Sequence, residues 1–450
     1  MRSHQVLQLL RAFESRNVTA IGLGAAAPIV WQRAQGVHVW DADGKKYLDL
    51  TAAFGVAAAG HANPRVVKAG QRQMAQLLHA MGDVHPHARK AELARELSRI
   101  TFERWGSSKS KGQSPRAKAV RLSGKTIFCN SGFEAVEAAL KTAILATRKP
   151  GVIAFTGAYH GLGYGALNAT HRDLFRAPFQ RQLGGFARFV AFPADHSFSV
   201  QRQAEDARLD SIEQAIRRLF RQHAVGAILV EPVQGRGGLR VPPPSFLPRL
   251  RHLCDEHEAL LVLDEIYTGF GRTGHWFACE HSQTIPDLIC LGKALTGGFP
   301  LSACVGNAEI MDAAWPQSRG EAIHTSTFLG HPVGCAMALA QITEIREKRL
   351  VQKSARLGKF LLKSLSILHP PSPLLCSARG LGLMAGLELR FTDGSAATAP
   401  ALKLIKTMLR HGLILLPEGE HSNVISFTPP LTITESHLEQ TVRHLEKALQ

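Results

Sequence analysis

No stretch of this chain approaches the about 20 uninterrupted apolar residues that cross a bilayer, so no membrane span is expected. The opening residues, Met1-Arg2-Ser3-His4-Gln5-Val6-Leu7, lack the apolar core of a secretory leader. Cysteine is sparse: the 7 thiols show no CxxC pair and no finger-like spacing, which leaves neither a disulfide framework nor a zinc module. Free thiols in a reducing cytoplasm are the better reading. His252, Cys254 and His257 fit one helix surface rather than a metal site, and no metal is expected. Acidic residues are also in deficit, 36 against 53 Lys and Arg, for a net charge of +17. The bases are scattered and form no recognisable nucleic-acid motif, so the excess reads as general surface. The one dense basic stretch, Lys109 to Lys118, is interleaved with Ser, Gly and Pro and reads as a solvated loop. Internal repeats and long low-complexity segments are absent. What remains is 450 residues, 45% hydrophobic and 20% charged, an ordinary globular composition with room for two or three domains.

The pattern along the chain is mixed. An amphipathic helix is expected over 4–16, and an Asp43-Gly44 turn closes a hairpin over 37–50. Helices are expected over 64–78 and 89–101, then a strand over 125–129 followed by a helix through Thr147. Short apolar runs at 151–155, 225–231, 260–264 and 288–291 alternate with helical patterns such as 211–223 and 247–257. That alternation predicts an α/β fold with a mainly parallel, doubly wound sheet, whose ligands gather at the carboxyl ends of the strands. The last part of the chain reads as helix 333–349, a second helix, then 380–389, 401–411, 413–416, 424–427 and a final helix from Glu435. This is a smaller α+β unit.

Chemistry concentrates at the strand ends. The run Leu260 to Leu263 ends in Asp264-Glu265, and the next apolar run leads through Gly292 to Lys293-Ala294-Leu295-Thr296-Gly297-Gly298. A lysine amine can join the aldehyde of pyridoxal 5'-phosphate as a Schiff base, and a carboxylate can keep the cofactor's ring nitrogen protonated. Taken singly, each carboxylate, Asp264 or the Glu231 that ends another apolar run, is as readily half of a structural salt bridge. Asn130-Ser131-Gly132-Phe133 lies between a strand and a helix, where backbone amides bind phosphate, although Ser-Gly there is more often a simple cap. Tyr159, before His160-Gly161, can stack on a flat ring or fill core. Gly161-Leu162-Gly163-Tyr164-Gly165 lacks the spacing and context of a dinucleotide loop.

In combination these segments are far more specific. The order of phosphate loop, aromatic, Glu231-Pro232, Asp264-Glu265 and Lys293 resembles the class III (ω-amino acid) aminotransferases of fold type I. The likeness runs from Trp40-Asp41-Ala42-Asp43-Gly44 to Pro429-Pro430-Leu431-Thr432-Ile433-Thr434. It implies a seven-stranded type of sheet and pyridoxal 5'-phosphate as cofactor. By resemblance, Ser131, Gly132 and Phe133 hold the phosphate, Tyr159 stacks on the ring beside His160, and Ile266 packs on the opposite face. Glu231 sits toward the ring hydroxyl, Asp264 pairs with the ring nitrogen, and Lys293 carries the cofactor and shuttles protons. Thr327 is similar to the threonine that reaches the neighbouring subunit's phosphate, which implies a homodimer with shared sites.

The chain departs from relatives that act on 4-aminobutyrate or ornithine. Tyr267 replaces a glutamine, Arg236 a glutamate, and Ser426 an arginine. Arg236, Phe54 and Ser426 are therefore the candidates on the substrate side, with Arg236 the cation placed to meet a carboxylate. The resemblance further implies an N-terminal segment over 1–60, a large cofactor-binding domain over 61–330 and a small domain over 331–450. It implies transfer of an amino group from an ω-amino acid or primary amine to a 2-oxo acid, with no nucleic-acid or membrane partner. The rival on the same scaffold is an intramolecular aminomutase of the glutamate-1-semialdehyde type.

Overall fold

The computed structural model describes residues 1–19, 28–109, 122–193 and 202–450. Most of the basic stretch after Lys109 lies outside them.

A seven-stranded sheet forms the centre, in the order Gly124–Cys129, Ser302–Asn307, Leu288–Leu291, Leu260–Asp264, Val225–Val230, Gly151–Phe155, Ala187–Val190. All strands run parallel except Ser302–Asn307, which is antiparallel to both neighbours. The strands read as unbroken apolar runs because helices cover both faces. Val152, Ala154, Leu229 and Val262 pack on one face with Ala135, Val136 and Ala139 of helix Gly132–Thr147. Ile153, Phe155, Ile228, Val230, Leu261 and Leu263 pack on the other with Phe246, Leu250 and Leu253 of helix Phe246–Glu256. The two-residue period of a strand thus splits one run between two cores.

Two smaller sheets flank the centre. The hairpin His38–Asp41 and Lys46–Asp49 is joined by Trp31–Gln35 and, in parallel, by Leu413–Ile414 from the far end of the chain. Leu374–Leu381, Met384–Phe391, Val424–Phe427 and Leu416–Glu418 form an antiparallel sheet. The expected single element over 380–389 is two strands that turn at Gly382-Leu383, because the turn is too short to interrupt the apolar reading. Three further strands were not expected from sequence: Trp31–Gln35, Ala187–Val190 and Ser302–Asn307.

One backbone feature stands beside the future site. Ala52, Ala53 and Phe54 take φ of +45°, +49° and +60°. A left-handed residue with a Cβ costs about 1–2 kcal/mol, so three in succession need support. Buried Asp49 supplies it, accepting from Thr51 N–H and Oγ1 at 2.8 and 2.6 Å and from Ala53 N–H at 3.1 Å. Its other contact is His61 Nε2 at 2.7 Å.

Candidate active site

The carboxyl ends of the central strands open onto one cavity of about 430 Å³. Its wall includes Gly132, Phe133, Tyr159, His160, Glu231, Arg236, Asp264, Ile266, Tyr267 and Lys293. Nine of these were marked as site residues by sequence, and the fold brings them together because each follows the end of a neighbouring strand. Ser131 immediately precedes the helix whose first residues line the cavity. Thr327, Phe54 and Ser426 do not line it. Thr327 is exposed, and its neighbour Ser326 lies 3.4 Å from Asn130 Nδ2 of the same chain. Phe54 points outward from the left-handed turn and is more than half exposed, whereas Ser426 is buried within its strand.

Each buried carboxylate has a distinct set of donors. Asp264 Oδ2 meets His160 Nδ1 at 2.8 Å, and Oδ1 accepts from Ile266 N–H at 3.1 Å. Glu231 accepts from Tyr159 N–H at 3.0 Å and Gly235 N–H at 3.1 Å. Burial, reinforced by the Asp264 charge, pushes the Glu231 carboxyl up to about 7.

Lys293 sits in the left-handed region at φ +41°, a strained conformation of the kind that gathers at functional sites. Its Nζ lies 3.8 Å from the centre of the Tyr267 ring. Burial holds this amine below the usual lysine range, while Asp264, Glu231 and Glu418 pull it back up. The Tyr267 ring is tightly seated: a Cβ at Gly55 or at Gly235 would come within 2.5 Å of it. Burial and the Glu418 charge push its hydroxyl up to about 12, so it stays protonated, 3.1 Å from Thr428 Oγ1.

The residues fit pyridoxal phosphate. Ser131 Oγ is buried at the start of helix Gly132–Thr147, facing the Glu134 N–H in a capping box, where the free amides of the first turn attract an anion. The Glu134 side chain curls back to Asn130 N–H at 2.7 Å, and Ser302 Oγ donates to Ser131 O at 2.5 Å, so the loop is held from both sides. His160 Nε2 is buried and unpartnered.

Sequence reasoning missed Glu418, a buried carboxylate 3.5 Å from Arg236 Nη1. It also missed Arg172, whose charge acts on Glu418. The apolar run before Pro417-Glu418 was a strand signal of the same type as the one before Asp264, but it lies in the other sheet.

Only a neutral amine condenses with an aldehyde. Capture of pyridoxal phosphate by the apoprotein, followed by absorbance, should therefore rise with pH to a midpoint below that of free lysine. Asp264 favours the charged amine, so Asp264→Asn should move that midpoint to still lower pH. An unchanged or higher midpoint would contradict the electrostatic picture.

The family model described as aminotransferase class-III matches residues 23–449. A 5-aminovalerate aminotransferase of Pseudomonas aeruginosa is 37% identical over 424 residues, covering 93% of each chain. A 4-aminobutyrate aminotransferase of Escherichia coli is 34% identical over 423 residues, again 93% of each. Among solved structures, the omega transaminase from Pseudomonas jessenii in complex with PMP superposes with a TM-score of 0.86 at 26% identity, over 99% of this chain and 97% of that one. With its fold and nearly its whole length matched, the chain belongs to the class III aminotransferases, enzymes that work with pyridoxal 5'-phosphate.

Proposed function

We propose that this aminotransferase takes its amino group from an ω-amino acid or a primary amine and passes it to a 2-oxo acid, with Lys293 as the residue that binds the cofactor and moves the proton. The observation that carries the reading is the buried Asp264 carboxylate on the same cavity wall as a lysine held below its usual pKa range. The names of the P. aeruginosa and E. coli relatives, acting on 5-aminovalerate and 4-aminobutyrate, agree with an ω-amino donor.

Bound here, pyridoxal phosphate supplies an aldehyde that captures amines and a ring that spreads the charge left when a proton departs. Lys293 Nζ takes the proton from the donor carbon and delivers it back. Asp264, fixed by His160, would set a negative charge against the ring nitrogen. Ser131, Gly132 and Phe133 would hold the phosphate, Tyr159 and Ile266 would enclose the ring, and Glu231 would lie on its hydroxyl side. The division into 1–60, 61–330 and 331–450 belongs to the same reading. It is supported by the pairing of Lys46–Asp49 with Leu413–Ile414, which ties the N-terminal segment to the last part of the chain. The 7 free cysteines suit a reducing cytoplasm.

The same reading makes the enzyme a homodimer in which Thr327 serves the partner's site. Phe54, Met81, Val84, Ile323 and Phe328 are each more than half exposed, and the 2.7 Å bond between Thr325 and Asp83 joins two of the segments that carry them. Apolar surface of this kind is covered in a stable assembly. Sedimentation should give a dimer, and a fully active, cofactor-loaded monomer would overturn it.

For the reaction, a panel of ω-amino acids and amines against pyruvate and 2-oxoglutarate should show turnover that needs both partners. Lys293→Ala should lower it by at least about a thousandfold, in the upper part of the about hundred- to ten-thousandfold range of one proton-transfer group. Turnover of a single compound without any oxo acid would instead establish the aminomutase.

A further inference from the structure

Glu418 differs from every other buried carboxylate near the site. Glu265 accepts from Ala278 N–H, Cys279 N–H and Thr268 Oγ1. Glu388 is met by Arg379, Arg390 and Asn423. Asp264 and Glu231 each hold two close partners. Glu418, only 3% exposed, has among the described residues a single ion pair, to Arg236 Nη1, and that contact is a long 3.5 Å. A buried charge so thinly paired is expensive to keep. Its field nevertheless reaches the reactive lysine, and Arg236, Lys293 and Arg172 all act back on it.

The two members of the pair differ in freedom. Glu418 ends a strand whose register is fixed opposite Val424, and the next residue donates its N–H to Arg236 O at 3.1 Å. The carboxylate is thus anchored by backbone. The Arg236 side chain is 36% exposed, lines the cavity and hovers 5.9 Å from the Tyr159 ring, so it can leave without unfolding anything. A fixed carboxylate stands behind the cavity wall, covered by a movable cation that lines it.

We propose that Glu418 is the specificity-determining residue for a cationic donor: it receives the distal ammonium of an α,ω-diamine, while Arg236 swings aside and serves the carboxylate of the 2-oxo acid in the other half-reaction. This rests on the transaminase reading and narrows its donor to a class. An incoming ammonium replaces the guanidinium on Glu418 and leaves the number of paired charges unchanged. An incoming carboxylate must instead compete with Glu418 for Arg236. The arrangement therefore favours diamines over monoamines of the same length, and removing the Glu418 charge reverses the balance.

The test uses the cofactor-loaded enzyme with 1,4-diaminobutane and 1,5-diaminopentane against butylamine and pentylamine. Wild type should turn over the diamines at least tenfold more efficiently. Glu418→Gln should lower diamine kcat/KM ten- to hundredfold further than it changes that of the monoamines, and lower the KM for 2-oxoglutarate. A calorimetric Kd for N,N,N',N'-tetramethyl-1,4-diaminobutane, which cannot donate its nitrogen, should weaken by the same factor. Equal losses for diamine and monoamine, or an unchanged Kd, would overturn the assignment. If Glu418→Gln does not fold, a wild-type enzyme that fails to prefer diamines overturns it equally. Absence of turnover with every donor and acceptor would sink the transaminase reading, and the calorimetric arm would still judge Glu418 by itself.

Discussion

Much of this molecule is arranged around the burial of negative charge next to one lysine. Asp264 and Glu231 end adjacent parallel strands, where neighbouring helices have stripped away water. An isolated carboxylate in such a place would take up a proton or destabilise the fold. Asp264 is met by His160 and the Ile266 amide, and Glu231 by two loop amides, although burial still pushes the Glu231 carboxyl up to about 7. Those bonds fix the loops after three strands relative to one another, and the cavity inherits its shape from them. The same desolvation keeps the Lys293 amine below its ordinary range, so one constraint both shapes the cavity and eases deprotonation of the lysine in its wall.

The substrate side follows from the same constraint applied to the smaller sheet. Strand Leu416–Glu418 lies beside Val424–Phe427, and Glu418 adds a third carboxylate to the field on Lys293. Arg236 partly offsets it. Tyr267 fills the space between, its ring against Lys293 and its hydroxyl near Thr428. Tyr267, Arg236 and Ser426 are the positions at which the sequence predicts a departure from relatives that handle 4-aminobutyrate or ornithine. The first two line the cavity, and Ser426 lies in the strand immediately behind it. These three positions therefore fall at one place, around the Arg236–Glu418 pair.

Sequence alone revealed the strands that are buried on both faces, because Leu260–Asp264 and Val225–Val230 are unbroken apolar runs ended by a carboxylate. It failed where a strand is short and carries polar or small residues, as in Ala187–Val190 with Arg188 and Ser302–Asn307 with Gly306. Nine cavity residues were legible because each follows such a run closely in sequence. Glu418 was not, since it comes from a sheet built of the last part of the chain and meets the cavity residue Arg236 only through tertiary packing. Phe54 belongs to a turn whose left-handed course depends on Asp49, and no local residue preference announces three such conformations in a row.

The account stands or falls on Lys293 as the covalent anchor of the cofactor. The direct measurement is borohydride reduction of the purified, cofactor-loaded protein, followed by proteolysis and mass spectrometry. One reduced pyridoxyl group per chain on Lys293 is the predicted result. A pyridoxyl group on another lysine, or a protein that binds the cofactor with no reducible bond, would contradict it.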